Sequence, residues 1–211
     1  MTLQLLGKAS SINVRKVLWT LAELGLEFER QDWGAGFAAT DTPEFRRLNP
    51  NAMVPVLRDG DFVLWESNSI CRYLVAREQR HVLLPQAPRA RAQVEQWMDW
   101  QAGEFNNAWR YAFMSLVRQS PAHQDPQLLA QGVAGWHRHV QILDAQLART
   151  GAFVCGETFT LADVVLGLSL QRWRVAPLDE AGRPEVPAAR AYLQRLEQRP
   201  AFMAHGANGQ P

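Results

Sequence analysis

With 211 residues the chain is long enough for one large domain or two small ones around a buried core. Its 22 basic and 21 acidic residues balance, so nothing in the composition points to an electrostatic grip on nucleic acid. A hydrophobic share of 47% with 20% charged residues fits a soluble globular protein, and no apolar run reaches the roughly 20 residues that span a bilayer. The start, MTLQLLGKASS, lacks a basic segment followed by a sustained apolar core, so no signal peptide is expected. Cys71 and Cys155 form no CxxC pair and are expected to be buried free thiols in a reducing cytoplasm.

In chain order, Thr2–Leu6 reads as a short apolar strand and Gly7-Lys8-Ala9-Ser10-Ser11 as a loop. Ile12–Gly25 carries Val14, Val17, Leu18, Leu21 and Leu24 at helical spacing and stops at Gly25. Glu27–Gln31 is a second strand, so this segment predicts a parallel β-α-β unit with a right-handed crossover. Asp32–Thr40 is a glycine- and alanine-rich loop, and Pro43–Leu48 a short helix or turn.

The stretch Asn49–Leu74, NPNAMVPVLRDGDFVLWESNSICRYL, carries the densest chemistry. A polar turn leads into Met53–Leu57, an apolar strand whose Pro55 cannot donate to a ladder and so belongs at its start or at an edge. Arg58–Asp61 has hairpin chemistry, Phe62–Trp65 is the return strand, and Ser67 is the best cap for a helix running through Ile70, Tyr73 and Leu74. Backbone freed of sheet pairing before Pro55 suits an extended peptide, and the following helix N-terminus suits a carboxylate. The elements so far order as βαβ-α-ββα, an α+β thioredoxin-like arrangement.

Beyond Glu78–Arg89, a proline-bearing linker, strand signals stop. Ala90–Arg118 is a long helical pattern with Gly103 at a bend or close contact, and Gln127–Leu147 is a second helix. Thr160-Leu161-Ala162-Asp163 is a capping-box variant, flanked by Phe159 and Val164 as a hydrophobic staple, and opens a helix apolar nearly all round. Pro187–Gln198 is a last helix, and Gly206–Pro211 is a polar tail expected to fray.

Asn-Pro-x-x-x-Val-Pro-x-Leu, then Asp-Gly, then Glu-Ser before a helix resembles the glutathione-binding half of the glutathione S-transferases. Thr160-x-x-Asp163 resembles the box opening the buried helix of that family's C-terminal half, so the likeness covers nearly the whole chain. It implies a thioredoxin-like domain over residues 1–77, a linker over 78–89 and an all-helical domain over 90–211. It also implies a cytoplasmic homodimer and a detoxifying transferase that takes glutathione as co-substrate and a small hydrophobic electrophile, with no metal.

Within that likeness the Val54–Pro55 bond is cis, Val54 pairs with the cysteinyl backbone of glutathione beside Met53, and Glu66 and Ser67 hold its γ-glutamyl end. Ser11 matches the serine of the plant-type and theta-type enzymes, whose hydroxyl donates to the glutathione thiolate. Ser10 takes that place if the loop shifts by one residue. Ser11-Ile12-Asn13 also resembles the Nu-class enzymes, with Asn13 reaching the sulfur. The competing role for Ser11 is a plain N-cap, which stabilises by about 1 kcal/mol. No cysteine or tyrosine occupies this loop, which sets aside the classes that use them.

Plant-type enzymes hold the glycyl carboxylate with basic or histidine side chains where this chain has Thr40 and Asp41, and use a glutamine near Met53; Arg46, Arg47 or Lys8 are the candidates left. Trp109, Arg110, Phe113, Leu116 and Trp173 are candidates for a second-substrate pocket, against the alternative that they are core. His137 and His139 are expected on the surface, on different helix faces. Two further functions stay open: glutathione-dependent disulfide or peroxide reduction, and a non-catalytic ligand- or partner-binding role on the same fold.

Overall fold

The structure is a computed structural model, and it describes residues 2–209. The first part contains β1 (Leu3–Leu6), α1 (Ile12–Leu24), β2 (Phe28–Gln31), α2 (Pro43–Leu48), β3 (Val56–Asp59), β4 (Phe62–Trp65) and α3 (Ser67–Arg77). The sheet order is β2-β1-β3-β4, with β1 and β2 parallel and the other neighbours antiparallel. Alternation along β1 divides the sheet's two faces: Leu3 and Leu5 enter the main core with α1 and α3, while Leu6 joins Val56 and the α2 residue Phe45 on the other side. Gly25 closes α1 in the left-handed region at φ 67°, as its place in the sequence predicts.

Two details around the hairpin differ from expectation. The strand expected over Met53–Leu57 begins only at Val56, opposite Leu6. Pro55 brings no donor, and the Met53 carbonyl is already taken by Asn49 Nδ2 at 2.7 Å. Ser67, expected as the cap of α3, is instead its first residue. Glu66 takes the cap position at φ 72°, its carbonyl accepting from the Ile70 N–H at 2.9 Å, and the Ser67 hydroxyl turns to Asn13 Oδ1 at 3.4 Å.

The remainder is helical: α4 (Pro88–Trp100), α5 (Asn106–Leu116), α6 (Pro126–Thr150), α7 (Leu161–Val175), α8 (Pro187–Leu196) and α9 (Pro200–His205). The single helix expected over Ala90–Arg118 is interrupted by one π turn, Gln101–Phe105, which holds the Gly103 anticipated as a bend. Its cause is visible in Gln101, which is buried. Its Nε2 donates to Ser169 Oγ and Asn106 Oδ1, both at 2.9 Å, and its Oε1 accepts from Lys16 Nζ at 2.8 Å. The ammonium of Lys16 also donates to Asn68 Oδ1 at 3.2 Å. A polar thread thus runs from α1 and α3 to α7 through the π turn.

One apolar cluster continues from the sheet through α1 and α3 into the helical bundle. Trp19 of α1 is its hinge point, fully buried with ring centroids 5.7 Å from Phe159 and 5.1 Å from Phe202. Gly167 opens the slot: a Cβ there would stand 2.7 Å from Leu196 Cδ1 and 3.1 Å from Trp19 Cη2. Glu23 then binds Arg199 through both carboxylate oxygens, at 3.0 and 2.6 Å.

The tail expected to fray is anchored at first: Gly206 is buried, and Asn208 Oδ1 accepts from Arg15 Nη1 at 3.0 Å. Residues 210 and 211 of that stretch lie outside the described residues. His137 and His139, expected on the surface, are half-buried. His139 stacks on Trp100 and Phe105, and His137 meets Trp173 edge-on at 6.1 Å. Cys71 is buried and Cys155 half-buried, and both are free thiols.

Candidate functional site

Two connected cavities lie where β1 hands over to α1. The smaller, about 80 Å³, is a polar pit lined by Asn13, Asn49, Asn51, Met53, Val54, Pro55, Glu66 and Ser67. The larger, about 390 Å³, is a cleft that shares Asn13, Met53 and Val54 with the pit. It continues over Lys8, Ser11, Ile12 and Thr40 to Phe113, Met114, Arg118 and Arg172 of the helical part.

Local folding explains the pit. Asn49 is buried and organises the loop before β3: its Nδ2 holds the Met53 carbonyl, and its Oδ1 accepts from the Asn51 backbone N–H at 3.0 Å. That loop delivers Val54, whose own N–H and C=O meet no partner among the described residues, and a cis Val54–Pro55 peptide. Gly7 lets the loop before α1 close on it. At φ 148° it has no side chain where a Cβ would meet Val14 Cγ2 at 2.5 Å and Val54 Cβ at 3.1 Å.

Ser11 occupies the N-cap of α1, its carbonyl accepting from Arg15 N at 2.9 Å, yet its hydroxyl makes no capping bond. The hydroxyl therefore sits in the cleft at the positive end of a 13-residue helix with no acidic residue in its first turn. Asn13 lines both cavities, its Oδ1 occupied by Ser67 and its Nδ2 donating to no protein group among the described residues. Ser10 lines neither cavity.

Of the second-substrate candidates, Phe113 lines the cleft and Trp109 lies behind it, 5.3 Å away by ring centroid. Arg172 spreads over both rings, its guanidinium carbon 4.2 Å from the Phe113 centroid and 4.8 Å from that of Trp109. Burial, then the charges of Arg15 and Arg118, lower its pKa to about 9. Arg110 is exposed and Leu116 half-buried, and neither lines the cleft. Trp173 faces a different cavity of about 290 Å³, where Arg183 covers its ring at 4.7 Å. Successive residues of α7 point about 100° apart, so Arg172 and Trp173 face different cavities.

Among the glycyl-end candidates, Lys8 lines the cleft with its ammonium on the Ala35 carbonyl at 2.9 Å. Arg46 is exposed and reaches back to the carbonyls of Asp41 and Pro50, and Arg47 is exposed away from both cavities. Sequence reasoning passed over Asn49, Met114, Arg118 and Arg172. Asn49 carried a signal, the Asn-Pro-Asn turn, but only as a turn.

A four-stranded mixed sheet with a polar pit beside an unpaired extended segment and a helix N-terminus offers a dock for an extended peptide. Residues 1–76 match the family model described as "Glutathione S-transferase, N-terminal domain", and residues 126–195 that described as "Glutathione S-transferase, C-terminal domain". The chain belongs to the glutathione S-transferase family. It is 36% identical to glutathione S-transferase GstB of Escherichia coli K12 over 92% of this chain and 93% of that one, and 31% identical to glutathione S-transferase 3 of Zea mays over 95% and 91%. A crystal structure of the theta class glutathione S-transferase from Xanthomonas axonopodis pv. citri with glutathione bound superposes with a TM-score of 0.89 at 37% identity, covering 97% of each chain.

Proposed function

We propose that the protein is a glutathione transferase that holds glutathione as a thiolate for attack on small apolar electrophiles, with Ser11 donating to the sulfur. The observation that carries this reading is the Ser11 hydroxyl, which lies in the cleft at a helix N-terminus without capping that helix. A free thiol has a pKa near 8.5, and lowering it by about two units is worth roughly 2.7 kcal/mol, within reach of one charge-assisted bond plus a helix dipole. The thiolate then attacks the electrophilic carbon; a C–S bond forms and the leaving group departs with its electron pair.

The peptide is placed by the groups beside Ser11. The Val54 N–H and C=O take the cysteinyl backbone next to Met53 and Pro55. Glu66 and Ser67 in the pit take the γ-glutamyl end, and Lys8 with Thr40 flanks the glycyl carboxylate. The electrophile enters from the Phe113 side. Domains over residues 1–77 and 90–211, joined by 78–89, and assembly as a cytoplasmic homodimer acting in detoxification belong to the same reading. Sedimentation of the purified protein tests the dimer.

The test of Ser11 is the ultraviolet thiolate titration of bound glutathione, run beside transfer to an aryl halide and reduction of a small disulfide. Ser11→Ala should raise the bound thiol's pKa and lower transfer about ten- to a hundredfold, with a much smaller change in glutathione affinity. Ser10→Ala should change little. An unmoved thiol pKa in Ser11→Ala with a large rise in Asn13→Ala would hand the role to Asn13. Activity confined to disulfides would replace transfer by reduction.

A further inference from the structure

The charged side chains lining the cleft are all cations: Lys8, Arg118 and Arg172, with no Asp or Glu among its lining residues. Their positions differ. Lys8 stands on the peptide side, beside Thr40 and tied to Ala35. Arg172 lies buried as the floor, flat on Phe113 and Trp109. Arg118 is exposed at the end of α5, its guanidinium carbon 5.4 Å from the Phe113 centroid, and it enters no ion pair among the described residues.

Two guanidinium groups therefore share one aromatic ring at the place where an electrophile would rest. Arg118 is the exposed one of the two and stands outside any ion pair among the described residues, and a guanidinium fork matches a carboxylate through two parallel N–H···O bonds. We propose that the electrophile accepted by this cleft carries a carboxylate on a small apolar frame, the frame lying against Phe113 and the carboxylate held by Arg118. This rests on the transferase reading above and narrows its substrate class. The glycyl carboxylate of glutathione does not account for Arg118, because a peptide docked along Val54 runs on the Lys8 side of the cleft.

The experiment compares 1-chloro-2,4-dinitrobenzene with 4-chloro-3,5-dinitrobenzoate. In both the thiolate adds to the chlorine-bearing carbon, a C–S bond replaces the C–Cl bond, and chloride leaves with the bonding pair. Each kcat/KM is divided by the rate of the same halide with free glutathione, which removes intrinsic reactivity. The wild type should favour the carboxylate at least tenfold, less so at high salt. Arg118→Ala should abolish most of that preference, Arg118→Lys should keep part of it, and Arg118→Glu should invert it.

Transfer to the neutral halide with no preference for the carboxylate, or an equal preference in Arg118→Glu, overturns the proposal and leaves the transferase reading standing. A tenfold rise in the KM for glutathione in Arg118→Ala also overturns it, because Arg118 would then hold the peptide. No transfer to either halide and no glutathione binding would bring down both readings together.

Discussion

The starts of α3 and α7 draw on the same few groups, a carboxylate, a hydroxyl and a helix N-terminus, and use them to opposite ends. At α7 the Asp163 carboxylate is fully buried, with both oxygens occupied. Oδ1 accepts from Val154 N at 2.9 Å and the Tyr192 hydroxyl at 3.1 Å, and Oδ2 from the Thr160 N–H at 2.8 Å and its hydroxyl at 3.1 Å. Burial pushes its pKa up to about 6, against the pull of those donors.

At α3 the Glu66 carboxylate is exposed, caps nothing, and lines the pit from a backbone in the left-handed region. Fold and function are told apart here by who satisfies the polar groups, not by the motif. A carboxylate the protein has used up holds the structure together, and one it has left open is accessible from the pit.

Each start also has a buried acid or base close by, of opposite sign: Asp163 at α7 and Lys16 behind Asn68 at α3. Removing the first should have the largest effect. Asp163→Ala strands its donors in the core and should cost about 3–5 kcal/mol in a denaturant titration, while the folded fraction keeps its KM for glutathione. A large rise in that KM at unchanged stability would break the distinction.

Lys16 comes next. Burial lowers its pKa from 10.5 to about 8. Between those values the unfolded chain holds the proton and the folded chain does not, so wild-type stability gains up to about 3 kcal/mol from this group as pH rises from 8 to 10.5. Below pH 8 the proton is bound in both states, and the burial cost is carried in full. Lys16→Met deletes the contribution, so the stability of the variant minus that of the wild type should fall across this window in paired unfolding curves. A flat difference would show that the ammonium keeps its ordinary value despite burial.

Ser67→Ala probes the open end of the comparison. Calorimetry should show glutathione binding about ten- to a hundredfold weaker, with unfolding free energy changed by less than about 1 kcal/mol. The mildest expected effect is Thr160→Ala, about 1 kcal/mol of stability with no change in binding, because its backbone N–H still reaches Asp163.

The same contrast explains what could be read before the coordinates. Periodicity placed α1 and α6 because burying one apolar face is a property of a single segment, and the capping box of Thr160 and Asp163 placed α7. The π turn escaped because Gln-Ala-Gly-Glu-Phe is ordinary helix sequence, and what bends it is Lys16, which arrives from another element. Glu66 as cap escaped because nothing in a glutamate announces a φ of 72°. That Ser11, Val54, Glu66 and Ser67 gather around the two cavities was legible through their order in the chain. Arg118 and Arg172 were not, since an arginine beside a helix end looks like a solvated charge until Phe113 is seen beneath both.

The Trp19 slot has a consequence for how the chain tolerates being cut. α1 belongs to the sheet by sequence, yet its indole is enclosed by Phe159 and Phe202 and its neighbour Glu23 is clasped by Arg199, all from the far end of the chain. The covalent connection between α3 and α4 is therefore not what keeps the two parts in register. A protease nick there should yield two fragments that stay associated and elute together, whereas either part expressed alone would present an unfilled socket or a bare tryptophan to water.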